Sequence, residues 1–308
     1  MGWFYGYAPP ERGAIVLGHR RVYIVPSRLG LFFGGTLAIL LVGSINYALA
    51  LGFALTFLLA GLGIAGMVQT ARNLAQLSVR AGRCDPVFAG DRAQFRLGLA
   101  NPGNFDRPEI LVRQIASGAH CIVDIGPASA TEAMLAVPAP RRGWLPLGRV
   151  MLETRFPLGL FRAWSYIEPD SRCLVYPRPE ASALPPAASS AQPGGARAHA
   201  QGSDDFSGLR AYQSSDSPRH VAWKSVARSD DMLTKQFAGD AVAELRLDLR
   251  DLPATLSLEQ RLSRLAGWVL AAERAGARYG LRLPGTELAP GNGEAQRAAC
   301  LEALALYE

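Results

Sequence analysis

The chain has 308 residues, 49% of them hydrophobic and 19% charged, with a mean hydropathy of +0.09 and a formal net charge of +6. That length allows more than one domain, and that hydropathy is high for a soluble protein, so a membrane part beside a soluble part is expected. Within residues 202–240 five Lys/Arg stand against six Asp, a mixed network that excludes a basic nucleic-acid patch there.

Residues 1–28 read as a tail, aromatic at Trp3, Phe4, Tyr5 and Tyr7 and basic at Arg12, His19, Arg20, Arg21 and Arg28. The apolar stretch begins too late for a signal peptide and lacks a small-residue cleavage pattern. From residue 29 to residue 71 there is no Asp, Glu, Lys, Arg or His. As one helix this run would be about 65 Å long, twice the hydrocarbon core, so it predicts a two-helix transmembrane hairpin over residues 29–71. The spans are expected at 29–43 and 49–69, with Gly52, Gly61, Gly63 and Gly66 letting the helices approach. A buried soluble hairpin is the alternative. Basic residues flank both outer ends of the hairpin (Arg28, Arg72, Arg80, Arg83) and none lies in its turn, which predicts both termini in the cytoplasm.

Residues 74–180 change to short alternating runs. Ala93, Phe95, Leu97 and Leu99 alternate with polar or small residues and end at the turn Asn101-Pro102-Gly103-Asn104. Further strands are expected at 110–115, 120–125, 132–137, 147–154 and 173–176. About seven strands in a hundred residues predict an all-β immunoglobulin-like sandwich. Phe156-Pro157-Leu158-Gly159-Leu160-Phe161 cannot be a plain strand, since Pro removes a donor and Gly permits a bend. It reads as an apolar loop plugging a domain junction, with a ligand groove as the alternative. Four cysteines (Cys84, Cys121, Cys173, Cys300) show no zinc or CxxC spacing. Free thiols are expected, with a disulfide inside the middle domain as the other reading.

Residues 181–201, rich in Ala, Pro, Ser and Gly, have the composition of a linker. In residues 202–308 a dense signature comes first. Arg210, Arg219 and Arg228 recur nine apart, interleaved with acids and with Phe206, Tyr212 and Trp223. Asp216 or Ser217 can cap a helix that Pro218 starts, with Arg219, Trp223 and Ala227 on one face. A strand over 232–237 is expected next. Beyond it, residues 244–250 alternate as a strand, Ser257 with Gln260 forms a capping box, and Leu258, Leu262, Leu265 and Val269 make a helical stripe ending at Gly276. A strand over 278–283 and a helix over 294–307 complete a β-α-β-α order, a partial α/β domain.

The signature resembles that of the bacterial domain of unknown function 58 family. The matching positions are Gly202, Asp205, Phe206, Leu209, Arg210, Tyr212, Asp216, Arg219, Val221, Trp223, Lys224, Ala227, Arg228, Lys235 and Phe237. Ser215, Ala222 and Val226 depart from the pattern. Residues 141–164, containing Thr154 and the Phe-Pro-Leu-Gly-Leu-Phe element, are similar to a second stretch of that family. The resemblance implies a multidomain protein of the bacterial inner membrane whose C-terminal part is von Willebrand factor A-like. The metal site of such domains needs Asp-x-Ser-x-Ser. Here Arg250 and Leu252 follow Asp248, so no metal and no other cofactor is expected. The resemblance further implies partners, a MoxR-type AAA+ ATPase and a membrane transglutaminase-like protein.

No Ser or Cys stands in a recognisable order with a base and an orienting acid, so no catalytic residue is assigned. Asp205, Phe206, Arg210, Tyr212, Asp216, Arg219, Trp223, Lys224 and Arg228 are expected to serve structure or partner docking, not enzymatic chemistry. The expected function is a membrane-anchored accessory scaffold presenting cytoplasmic domains for protein–protein interaction. Two alternatives stay open, an anion- or nucleic-acid-binding module and a hydrolase using the Asp/Arg/His signature.

Overall fold

The computed structural model describes residues 11, 13–182, 184 and 244–308 with their side chains, and residues 206–211 and 233–237 as backbone. They fall into two compact units, one running to Pro179 and including Leu301–Glu308, the other comprising Glu180–Cys300.

The first unit opens with two short strands, β1 (Ala14–Val16) and β2 (Tyr23–Pro26), ahead of two long helices, α1 (Arg28–Asn46) and α2 (Ala50–Leu74). Ser27 caps α1, its hydroxyl accepting the Gly30 N–H at 3.1 Å. Both helices are long and apolar enough to cross a membrane, and their flanks are exposed, as at Phe32 and Leu51. The chain reverses at Tyr47–Leu49, where Ala48 takes a left-handed φ of 49°. Of the four glycines expected to bring the helices together, two do so. A Cβ at Gly52 would lie 2.3 Å from Ser44 Oγ, and one at Gly63 would lie 3.2 Å from the Phe33 ring. Gly61 faces open space, and Gly66 meets Leu158 of the β-domain.

Ten strands follow: β3 (Ser78–Ala81), β4 (Val87–Phe88), β5 (Arg92–Ala100), β6 (Arg107–Gln114), β7 (His120–Ile125), β8 (Ala130–Pro138), β9 (Gly143–Pro146), β10 (Val150–Thr154), β11 (Phe161–Ile167) and β12 (Arg172–Tyr176). They make a four-stranded sheet β1-β3-β5-β8, a five-stranded sheet β2-β11-β10-β6-β7 and a three-stranded sheet β4-β12-β9. All three sheets contribute to one core. From β5 and β8 it takes Phe95 opposite Leu135 and Leu97 opposite Ala133; from β6 and β10 it takes Val112 opposite Leu152. Burying each of the Phe, Leu and Val side chains among these stabilises the fold by roughly 1.5–3 kcal/mol.

The first unit differs from the sequence expectation at several points. The stretch expected as a tail supplies β1, paired with β3, and β2, paired with β11. Strands of three or four residues are too short to display an alternation; the sheets' open edges recruit them. β3, β4, β9 and β11 were not expected either; the first three are too short to show a pattern, and in β11 the inward positions Ala163 and Ser165 are small and blur it. The strand expected from residue 147 begins at Val150, since Gly148 turns at φ 68°.

In the second unit β13 (Phe206–Ala211) pairs antiparallel with β14 (Leu233–Phe237). β15 (Glu244–Asp248) and β16 (Arg278–Leu283) are parallel, with Leu245 opposite Tyr279 and Leu247 opposite Leu281. The crossover between them is α3 (Leu258–Arg274), which starts with the complete Ser257–Gln260 capping box and buries Leu262, Leu265 and Val269. Glu180 bonds the same helix through the Ser263 carbonyl and Arg264. β17 (Thr286–Gly291) folds back antiparallel on β16 through Gly285 at φ 88°. The sequence hid this strand because it carries Pro290, a residue that sheets accept at an edge. Helix α4 (Glu294–Leu306) follows.

Candidate functional site: the junction of the hairpin with the β-domain

The loop joining β10 to β11 is the Phe156–Leu160 stretch, and it meets both apolar helices. Its carbonyls are the acceptors. Thr70 Oγ1 donates to Phe156 O at 2.8 Å, the Ser27 hydroxyl donates to Gly159 O, and the Ser27 N–H donates to Leu160 O at 2.8 Å. Gly159 at φ 68° makes the bend that presents these carbonyls. Gly30 lies so close that a Cβ there would be 2.0 Å from Leu160 O, and a Cβ at Gly66 would lie 3.5 Å from Leu158 Cδ1. The apolar loop expected at a domain junction is found there.

Beneath the loop the C-terminus of α2 is held by buried polar side chains. Asn73 Nδ2 donates to Thr154 Oγ1 and to Pro108 O, each at 2.8 Å. Arg107, only 2% exposed, donates to Asn73 O at 3.1 Å, to Ala75 O at 2.7 Å and to Asn101 Oδ1 at 2.7 Å. A β-bulge between Arg107 and Ile110, with Glu109 at φ 54°, lets both of those residues point inward although they are three apart. Burial, and then the neighbouring Arg72, lower the Arg107 pKa from the usual arginine value. Arginine remains charged under such pressure, and the negative pole of α2 is where a cation is favoured. The Arg107 guanidinium also lies 5.0 Å from the Phe105 ring centroid.

Beside the loop, Glu153 is 5% exposed and carries Arg162 at 2.6 Å and Arg155 at 3.1 Å. Arg162 lies over Trp164 at 5.1 Å, and Trp164 stacks on Tyr23 with centroids 5.9 Å apart. The junction is thus a positioning device: the Ser27, Thr70 and Thr154 hydroxyls are engaged by main-chain groups and Asn73, Arg107 by carbonyls and Asn101, and Glu153 by its two arginines.

The cysteines are free thiols. Cys84 and Cys173 both donate towards the Asp85 carbonyl, at 3.7 and 3.3 Å. Burial, reinforced by Cys173, pushes Cys84 up to about 12, and burial pushes Cys300 up to about 11. Neither is a reactive thiolate near neutral pH.

Of the signature positions, Asp205, Tyr212, Asp216, Arg219, Trp223, Lys224 and Arg228 lie outside the described residues. Phe206 and Arg210 are on β13, where Phe206 is opposite Phe237 and Arg210 opposite Thr234. Arg210 is therefore on a strand. Asp248 caps the short turn after β15, its Oδ1 accepting the Arg250 N–H at 2.9 Å, with Arg282 at 4.0 Å. Leu252 is buried.

Sequence reasoning missed Ser27, Thr70, Asn73 and Arg107. A signal existed for two of them: Thr70 and Asn73, three apart, are polar at the end of an apolar helix and share a face. Nothing local marks Arg107, whose α2 partners are more than thirty residues away. In comparisons with known proteins, no family model, no curated protein and no solved structure matches the chain.

Proposed function

We propose that this chain is a membrane-anchored accessory scaffold of the domain of unknown function 58 family, with its hairpin in the bacterial inner membrane and its remaining domains held in the cytoplasm for protein–protein interaction. One observation carries the reading: α2 runs without a break from an exposed apolar stretch into a β-domain that grips its last turn through Arg107, Asn73 and Thr70. A helix fixed in this way gives the attached domain a set orientation at the bilayer, which a scaffold needs. The β15–α3–β16 unit is read as the partial von Willebrand factor A-like domain. The capping role of Asp248 and the burial of Leu252 support docking without a metal ion in that part.

The partner proposed from the family resemblance is a MoxR-type AAA+ ATPase, with a membrane transglutaminase-like protein in the same assembly. The test is co-purification of the full chain in mild detergent with the purified ATPase. Capture is expected, and Arg210→Ala and Asp216→Ala are expected to lose it while melting like the parent chain. Failure of the parent chain to retain the ATPase, or full retention by both variants, would overturn the docking assignment.

A further inference from the structure

The junction loop has a side that no helix covers. Leu158 lies opposite Gly66 of α2, where an added Cβ would be 3.5 Å from its Cδ1, yet it remains 42% exposed. A bilayer core of about 30 Å takes roughly 20 helical residues, and the charge-free part of α2 ends at Ala71, just past Gly66. Gly30, which abuts Leu160, lies in the first turn of α1. The loop is therefore level with the start of one apolar helix and the final turns of the other, at the margin of the hydrocarbon.

The surroundings of the loop have interfacial chemistry. Tyr23 is 53% exposed and stacked on Trp164, and Val25 is exposed beside it on β2. Tyr and Trp are the residues that settle at headgroup level. Arg155 adjoins the loop on one side and Arg162 follows Phe161 on the other, while Arg28 opens α1. Glu153 is the carboxylate bonded to both flanking arginines and is buried between them, so the Arg155–Glu153–Arg162 group keeps a net positive charge. The Arg155 side chain remains 62% exposed.

We infer that the Phe156–Leu160 loop is a lipid-inserting wedge, with Arg155, Arg162 and Arg28 as a phosphate-binding collar for anionic phospholipid headgroups and Tyr23 and Trp164 as its aromatic rim. This rests on the membrane-anchor reading and deepens it by naming the lipid chemistry. The collar is continuous with the two apolar helices, and its charge is complementary to an anionic leaflet, which attracts basic groups lying near its surface.

Two measurements on the full chain test it. For depth, Leu158→Trp, Leu58→Trp on the exposed flank of α2 and Ile122→Trp on β7 are each reconstituted in bilayers containing brominated lipid. Relative to the parent chain, whose own tryptophans include Trp164 at the rim, added quenching from positions 58 and 158, and none from 122, is expected. Quenching at 58 without quenching at 158 would overturn the wedge and leave the anchor standing. No quenching at 58 would overturn the anchor itself. For charge, phosphatidylglycerol and phosphatidylcholine are titrated into the chain in neutral detergent and read by native mass spectrometry. Phosphatidylglycerol is expected to bind more tightly, with roughly fivefold weakening for each of Arg155→Gln and Arg28→Gln. Arg28→Gln leaves both partners of Glu153 in place, so folding is preserved in at least that variant. Equal binding of the two lipids, or full displacement by inorganic phosphate, would overturn the headgroup assignment.

Discussion

A buried guanidinium is stable only where several fixed acceptors replace the water it has lost. Arg107 has three such acceptors, two of them carbonyls at the C-terminal end of α2. Arg107→Ala removes the donors and leaves those oxygens buried, so a loss of about 3 kcal/mol or more is expected. Arg107→Lys keeps the charge but not the fork of donors, and its loss should be intermediate. Thermal melting of the full chain in detergent measures both, and parental melting of Arg107→Ala would show that α2 is not held by this group. Cys84 supplies a second prediction at the same scale. Its folded value of about 12 lies above the ordinary 9.0, so folding favours the neutral thiol. That contribution to stability is complete below pH 9 and is lost as pH rises from 9 towards 12. At pH 8, iodoacetamide should alkylate Cys84 at least about tenfold more slowly in the folded chain than in the urea-unfolded chain. Equal rates would contradict the burial assigned to that sulfur.

Among the elements, the two apolar helices show how position decides the effect of one and the same substitution. Gly30 and Gly61 both sit inside helices, where alanine is intrinsically better by about 1 kcal/mol. Gly61 faces open space, so Gly61→Ala should be neutral or slightly stabilising. At Gly30 the new Cβ would meet the Leu160 carbonyl, part of a loop already held by Ser27 and Thr70. The loop must shift, and a net cost of about 1–3 kcal/mol is expected. Comparing the two variants by melting isolates the loop contact from helix propensity. Similar melting of the two would show that the loop yields freely.

For the whole molecule the consequence of the junction is directional. The β-domain that begins at Ser78 is bonded to α2 through Asn73, Thr70 and Arg107, while β1 and β2, ahead of α1, are strands of the same domain. Both ends of the hairpin therefore enter one folded body, and both must lie on the same side of any membrane the helices cross. Reporter fusions after Arg83 and at the C-terminus are expected to report the same compartment, the cytoplasm, given the arginines at both outer ends. Signals from opposite sides would contradict the two-span reading, and two periplasmic signals would reverse its orientation.

By itself the sequence determined the features that a local pattern encodes. The charge-free run of residues 29–71 set two apolar helices, the alternation of Ala93, Phe95, Leu97 and Leu99 set β5, and Ser257 with Gln260 set the start of α3. It also marked Phe156–Phe161 as a break, since Pro157 and Gly159 forbid a plain strand. The candidate site was legible only that far. Which carbonyls that loop presents, and to what, depends on Ser27 and Thr70, 132 and 86 residues from their acceptors. The edge strands β1 and β2 likewise exist only because β3 and β11 offer them partners. Arg107 carries no local sign of burial, and its inward direction comes from a bulge and from the end of a helix formed by an earlier stretch of chain. The tertiary structure decided these points because the hydrogen bonds that fix them join groups far apart in the chain, and no periodicity within a short window records such pairs.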